Sequence, residues 1–172
     1  RFGLAAVKGV GEAAMQSIVE ERERGGKFRS IYDFMERVNM QAVNRKNIEN
    51  MALAGAFDSI SGFHRSKFFS ADQRDSGGAV FLEQLIKYGS RMQTERNTAQ
   101  QSLFGGTDIV DIQQPLLPQC PDWNKLETLN HEKEMIGMYL SSHPLDDYEV
   151  VIKRYCNTQL TPVSYTHLTL PT

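Results

Sequence analysis

Apolar residues first fall into register between Glu12 and Arg24, where Ala14, Met15, Ile18 and Val19 share one face at helical spacing and predict an amphipathic helix. Glu12 near its start and Arg22 and Arg24 near its end suit the helix dipole, and Gly25-Gly26 ends it. Ser30, three residues ahead of Asp33, reads as a capping pair that opens a short helix through Ile31, Phe34, Met35 and Val38. Asn44 is placed to cap another helix, with Ile48, Met51, Ala52 and Leu53 on one face and Gly55 as its stop. A further short helix is expected from about Phe63 to Ala71.

Residues 72–78 are polar and glycine-bearing, so a loop is expected before a long helix carrying Val80, Leu82, Leu85, Ile86 and Met92. Between Asn97 and Pro121 the periodicity fails: Gln, Thr, Gly and Pro dominate, and the pair Leu103-Phe104 stands in polar surroundings, which is the pattern of a linker. Helical spacing resumes from Trp123 to Leu140 through Leu126, Leu129, Met135, Ile136 and Tyr139. His143-Pro144 punctuates it before a short segment ending near Tyr155. No strand before residue 155 is convincing, and the expected class is mainly α.

Composition excludes several classes. The chain has 172 residues, 40% hydrophobic and 23% charged, and no apolar run approaches the roughly 20 residues of a membrane-spanning helix. Cys120 and Cys156 with four scattered histidines supply neither a disulfide framework nor a zinc site, and a reducing cytoplasm is expected. The opening at Arg1, inside an apolar pattern and without a leader, reads as a fragment. The formal net charge of -2 hides an asymmetry: residues 1–68 carry 11 Lys/Arg against 8 Asp/Glu, whereas 108–150 carry 2 against 9. An anionic partner is therefore best tolerated by the N-terminal third.

The candidate chemistry sits there. In Val7-Lys8-Gly9-Val10-Gly11 two glycines bracket one apolar anchor directly before a strong helix. Glycines of this kind permit a tight turn with positive φ and keep side chains off the surface. Exposed turn N–H groups and the unpaired donors of a helix N-terminus then form a concave anion site for a DNA phosphate, with Lys8 beside it. A second helix–turn–helix unit is read at Ala54-Gly55-Ala56-Phe57, followed by a helix bearing His64, Arg65 and Lys67. The expected DNA-binding residues are Lys8, Gly9, Val10, Gly11, Gly55, Arg65 and Lys67. Such binding would be independent of base sequence and strongly salt-dependent. A bare GxG also serves ordinary helix–helix turns, so the motif draws its weight from context.

That context is a resemblance. Phe2-Gly3-Leu4 with Val7 to Gly11, then Ser30-Ile31-Tyr32-Asp33-Phe34, then Asn44-Arg45 and Ala54-Gly55-Ala56-Phe57-Asp58, resemble the alpha subunits of bacterial DNA polymerase III. Trp123, Leu126, Glu132-Lys133-Glu134, Gly137, Tyr139-Leu140-Ser141 and His143-Pro144-Leu145-Asp146 are similar to that family's approach to its OB fold. The resemblance implies a tandem helix-hairpin-helix DNA-binding domain at 1–71, a helical extension at 72–96, a flexible linker at 97–121 and a helical connector at 122–160. It implies as partners duplex DNA, the sliding clamp and other replicase subunits, with no membrane. Gln100-Gln101-Ser102-Leu103-Phe104 resembles the family's clamp-binding motif, so Gln100, Ser102, Leu103 and Phe104 are the expected clamp contacts. An exposed apolar pair in a polar segment suits such anchoring; the alternative is that the pair docks back on the domain. The family's polymerase chemistry uses palm carboxylates and Mg2+. No position here matches those carboxylates, so no catalytic residue and no cofactor is expected in this fragment.

Residues 161–172 depart from the family pattern, and Ser164 to Thr172 resembles translated sequencing adapter, so this tail is expected to be non-native and His167 carries no weight. Two rival functions are weighed. A helix-hairpin-helix DNA glycosylase would use Asp33, but Asp33 reads as a helix cap and the matching lysine is absent. A non-catalytic adaptor joining DNA to a clamp differs only in what precedes Arg1.

Overall fold

The computed structural model describes residues 3–71, 78–101 and 112–156. Among them it contains no strand, only one antiparallel bridge between Ala71 and Val80. A 3-10 turn at Leu4–Ala6 leads into α1 (Glu12–Gly25), α2 (Ile31–Arg37), α3 (Arg45–Leu53), α4 (Asp58–Ser61), a second 3-10 turn at Arg65–Phe69, α5 (Phe81–Gln101), α6 (Lys125–Ile136) and α7 (Glu149–Tyr155). The mainly α class is as the pattern predicts.

Local chemistry sets the early boundaries. Gly26 at φ 76 stops α1, and Asp33 N–H donates to Ser30 Oγ to start α2. Asn47 N–H donates to Asn44 Oδ1 to start α3. Arg29 N–H and Arg37 Nη1 both donate to Asp33 Oδ2, so this carboxylate is committed to cap and ion pair, as the capping reading holds. Ala14 and Ile18 bury the face of α1 against a core containing Ile31, Phe34, Met35, Ile48, Met51 and Phe57. Each large apolar side chain so buried contributes about 1.5–3 kcal/mol relative to exposure. Aromatic rings run through this core in succession: Phe28 on Phe34, Phe34 on Phe57, Phe57 on Phe68, and Phe68 on Phe81, with centroids 5.0–6.3 Å apart.

Three boundaries differ from expectation. The helix expected from Phe63 to Ala71 is a 3-10 turn at Arg65–Phe69, preceded by the one-turn helix α4 that periodicity is too short to reveal. The long helix α5 continues to Gln101, into the span expected to be linker. It packs on α2 at Gly89, where a Cβ would stand 2.6 Å from Met35 O, and Gln93 Nε2 donates to Met35 O and Val38 O at the end of α2. Finally, α6 is shorter than Trp123–Leu140. Asn124 and Glu127 form a capping box at its start, and Gly137, at φ 88, terminates it.

Residues 112–124 carry no regular structure yet lie against the helical domain. Tyr32 Oη donates to Pro115 O at 2.9 Å, Pro118 is fully buried, and Trp123 stacks on Phe69 and contacts His131. Trp123 contributes to the apolar pattern through this stacking and not through α6. Ser102, Leu103 and Phe104 and the tail 161–172 lie outside the described residues. Gln100 lies in α5, but its side chain is not among those described.

Candidate nucleic-acid interface

The hairpin is fixed from both sides. Val7 and Val10 are buried, and Val10 N–H closes a tight turn on Val7 O at 3.2 Å. Lys8 N–H donates to Met135 O of α6 at 2.8 Å, while Asn50 Nδ2 of α3 donates to Lys8 O at 2.7 Å. Gly9 takes φ 75, the left-handed conformation that glycine tolerates best. Its Cβ would lie 2.7 Å from Asn50 Nδ2, so the glycine also makes room for the asparagine.

Gly11 differs from the sequence expectation of positive φ at both glycines. It is the N-cap of α1 with extended backbone (φ -72, ψ 157), and a Cβ there meets nothing within 4 Å. Its value is the open space above it. No side chain caps α1, and Glu12 is exposed without a bond to the turn. Among the described residues, the N–H groups of Gly9, Gly11, Glu12 and Ala13 have no acceptor, nor does that of the buried Ala14. Four donors around one helix N-terminus, with exposed Lys8 adjacent in sequence and without an ion pair among the described residues, form an anion-receptive surface.

The second expected unit is different. Gly55 takes φ 78 at the end of α3, where Ala56 N–H donates to Met51 O at 2.9 Å, and the Arg65 guanidinium lies over it: a Cβ would be 2.1 Å from Nη2. Arg65 is buried, donating from Nε and Nη2 to Asp58 and from Nη1 to Glu132 Oε1 at 2.9 Å. The expectation that Gly55 and Arg65 contact DNA is therefore corrected. Glycine is needed there for an internal ion pair, whose charge is spent on two carboxylates. Lys67 remains half-exposed on the 3-10 turn, without an ion pair among the described residues.

The helical hairpin that matches the first in layout is α2, residues 38–44 and α3, with Val38 and Val43 buried as Val7 and Val10 are. There Gln41 N–H goes to Asn39 Oδ1, Ala42 and Val43 N–H to Asn39 O, and Asn47 N–H to the Asn44 side-chain cap, while the N–H groups of Asn44, Arg45 and Lys46 have no acceptor among the described residues. The first hairpin differs in having no side-chain cap at its helix start and open space over Gly11.

Glu132 is the residue that pattern reading missed. It is fully buried in α6 and accepts from Arg65, from Leu140 N–H and Ser141 N–H at 2.9 and 3.0 Å, and from the Ser141 hydroxyl. Burial alone would raise its pKa. The Ser141 hydroxyl and amide, the Leu140 amide and the Arg65 guanidinium outweigh that and hold it below the ordinary value of 4.5. A charged residue at a position facing the core was the available signal.

Among the described residues no group of three or more His, Cys, Asp or Glu is placed to hold a metal ion, and no helix is long and apolar enough to cross a membrane. Comparison with known proteins agrees with the geometry. A family model described as a helix-hairpin-helix motif matches residues 1–68. DNA polymerase III subunit alpha of Xylella fastidiosa is 35% identical over 164 residues, covering 93% of this chain and 13% of that protein. The Vibrio cholerae protein of the same name is 31% identical over 160 residues, covering 92% and 13%. That of Thermus aquaticus is 33% identical over 147 residues, covering 86% and 11%. The chain thus spans about an eighth of the length of these curated relatives. Over most of its length the chain is similar to one segment of DNA polymerase III alpha subunits, and its first 68 residues match a helix-hairpin-helix motif.

Proposed function

We propose that this chain grips duplex DNA by its phosphates, without reading bases, as a segment of a replicative DNA polymerase of the cytoplasm. The observation that carries the reading is the cluster of acceptor-free N–H groups at Gly9, Gly11, Glu12 and Ala13, presented by a hairpin fixed at both ends of the Lys8 peptide. Lys8 and, farther along the chain, Lys67 add charge. Nucleotidyl transfer and the Mg2+ it uses belong to other parts of the parent polymerase.

Gly11 gives the cleanest test, since a side chain there collides with nothing in the fold but stands where the phosphate enters. Gly11→Val should weaken binding to every duplex alike by roughly tenfold or more, as expected when charge-assisted hydrogen bonds worth about 1.5–3 kcal/mol each are obstructed. Fluorescence anisotropy on several unrelated duplexes, with circular dichroism confirming the fold, measures this; unchanged affinity refutes the phosphate site.

Tethering to the sliding clamp through Gln100, Ser102, Leu103 and Phe104 is the second part of the proposal, supported by the apolar pair in a polar stretch. Replacing Leu103 and Phe104 with Ala should abolish capture of the clamp in a pull-down and leave DNA affinity unchanged. Clamp recovery by the double variant would remove the motif from the proposal.

A further inference from the structure

We infer that α6 is a positioning element of the DNA-binding hairpin: held by the Arg65–Glu132 clasp, it fixes the Lys8 peptide and so keeps the hairpin's free donors in their binding arrangement. This rests on the DNA-backbone reading above and extends it to residues that touch no DNA.

The geometry forms a continuous chain of contacts. Glu132 and Met135 are one helical turn apart on α6, and both are buried. Glu132 is anchored by Arg65 on one side and by Leu140 N–H, Ser141 N–H and the Ser141 hydroxyl on the other, which fixes α6 and the turn after it. Three residues on, Met135 O takes the Lys8 N–H. The opposite end of the same residue, Lys8 O, takes Asn50 Nδ2. Locally, the turn is closed only by Val10 N–H on Val7 O, and the 3-10 turn ahead of it is three residues long. Two tertiary hydrogen bonds to one residue therefore hold the turn next to Gly9.

The consequence is thermodynamic. If the donor-presenting turn is populated only while α6 is docked, the apparent Kd for DNA rises in inverse proportion to the docked fraction. Arg65 then affects affinity without neutralising a phosphate, and the two roles have different salt signatures. Losing a phosphate contact lowers the slope of log K against log salt by about 0.9, whereas losing a positioning contact leaves it unchanged.

The test uses the 172-residue chain, amide hydrogen exchange at Lys8 by NMR, and anisotropy with a duplex across a salt series. Arg65→Met should speed Lys8 exchange and raise Kd together, each on the order of tenfold, with the salt slope unchanged. Ser141→Ala removes one donor to Glu132 without stranding a charge; it should shift both readouts in the same direction by less, and it decides the matter if Arg65→Met fails to fold. Faster Lys8 exchange at unchanged Kd overturns the inference, as does weaker binding with Lys8 still protected. A slope reduced by about 0.9 in Arg65→Met would make Arg65 a phosphate contact instead. Should the unaltered chain not bind duplex at all, the DNA reading fails and takes this inference with it, whereas Lys8 protection by α6 would still be observed.

Discussion

Glu132→Ala is expected to destabilise the fold by about 3–5 kcal/mol, the range for removing one partner of a buried ion pair. The loss is large because four donors converge on this carboxylate. Without it the Arg65 guanidinium keeps Asp58, whose side chain is 48% exposed, and a long bond to Leu53 O, and Leu140 N–H, Ser141 N–H and the Ser141 hydroxyl lose their acceptor. Glu134→Ala, two positions along the same helix and exposed, should change stability by less than about 0.5 kcal/mol. Urea unfolding measures both, and a midpoint shift at constant slope identifies a change in stability alone. The pH dependence has a fixed sign. The folded-state pKa of Glu132 is lowered, so its contribution is complete above the ordinary value of 4.5 and is lost as pH falls from there through the folded pKa. The unaltered chain should thus lose stability on acidification below about pH 4.5, and Glu132→Ala should show a flatter profile in that window. Equal slopes in the two proteins would mean that Glu132 is not the group responsible.

The clasp also marks where sequence reading reaches its limit. The cap residues Ser30 and Asn44, the stop at Gly26 and the apolar faces of α1 and α3 are local features, governed by neighbours a few residues away, and they are legible as pattern. So is the Gly9 turn. Glu132 and Arg65 are 67 positions apart, and neither helical spacing nor charge count pairs them. A short charged run such as Glu132-Lys133-Glu134 reads as solvated surface, which holds for Lys133 and Glu134, and a cation beside a hairpin reads as a phosphate ligand; burial reverses the reading for Glu132 and for Arg65. The position of the second helical hairpin was displaced for the same reason. Gly55 has the residue type of a backbone-approach glycine, but what approaches it is the Arg65 side chain.

Gly55→Ala follows from that last contact, with an expected cost of about 3–5 kcal/mol, comparable to breaking the ion pair itself. Two penalties act there. The left-handed backbone, φ 78, costs a non-glycine residue about 1–3 kcal/mol. The added methyl would also sit 2.1 Å from Arg65 Nη2 and 2.3 Å from Cζ. Such a collision is cheap against a free side-chain end, which swings away, but this guanidinium is held by Asp58 and by the fully buried Glu132, so moving it breaks the clasp. Gly62 isolates the first penalty: its φ is 70 and a Cβ there meets nothing within 4 Å, so Gly62→Ala should cost only the conformational part, about 1–3 kcal/mol. A double-mutant cycle separates the collision. In an Arg65→Met background the guanidinium is gone, and Gly55→Ala should there fall to about the cost of Gly62→Ala, leaving a coupling energy of roughly 1–3 kcal/mol between positions 55 and 65. Additive effects would show that Gly55 does not exist to accommodate Arg65, and would reopen its backbone to an external ligand.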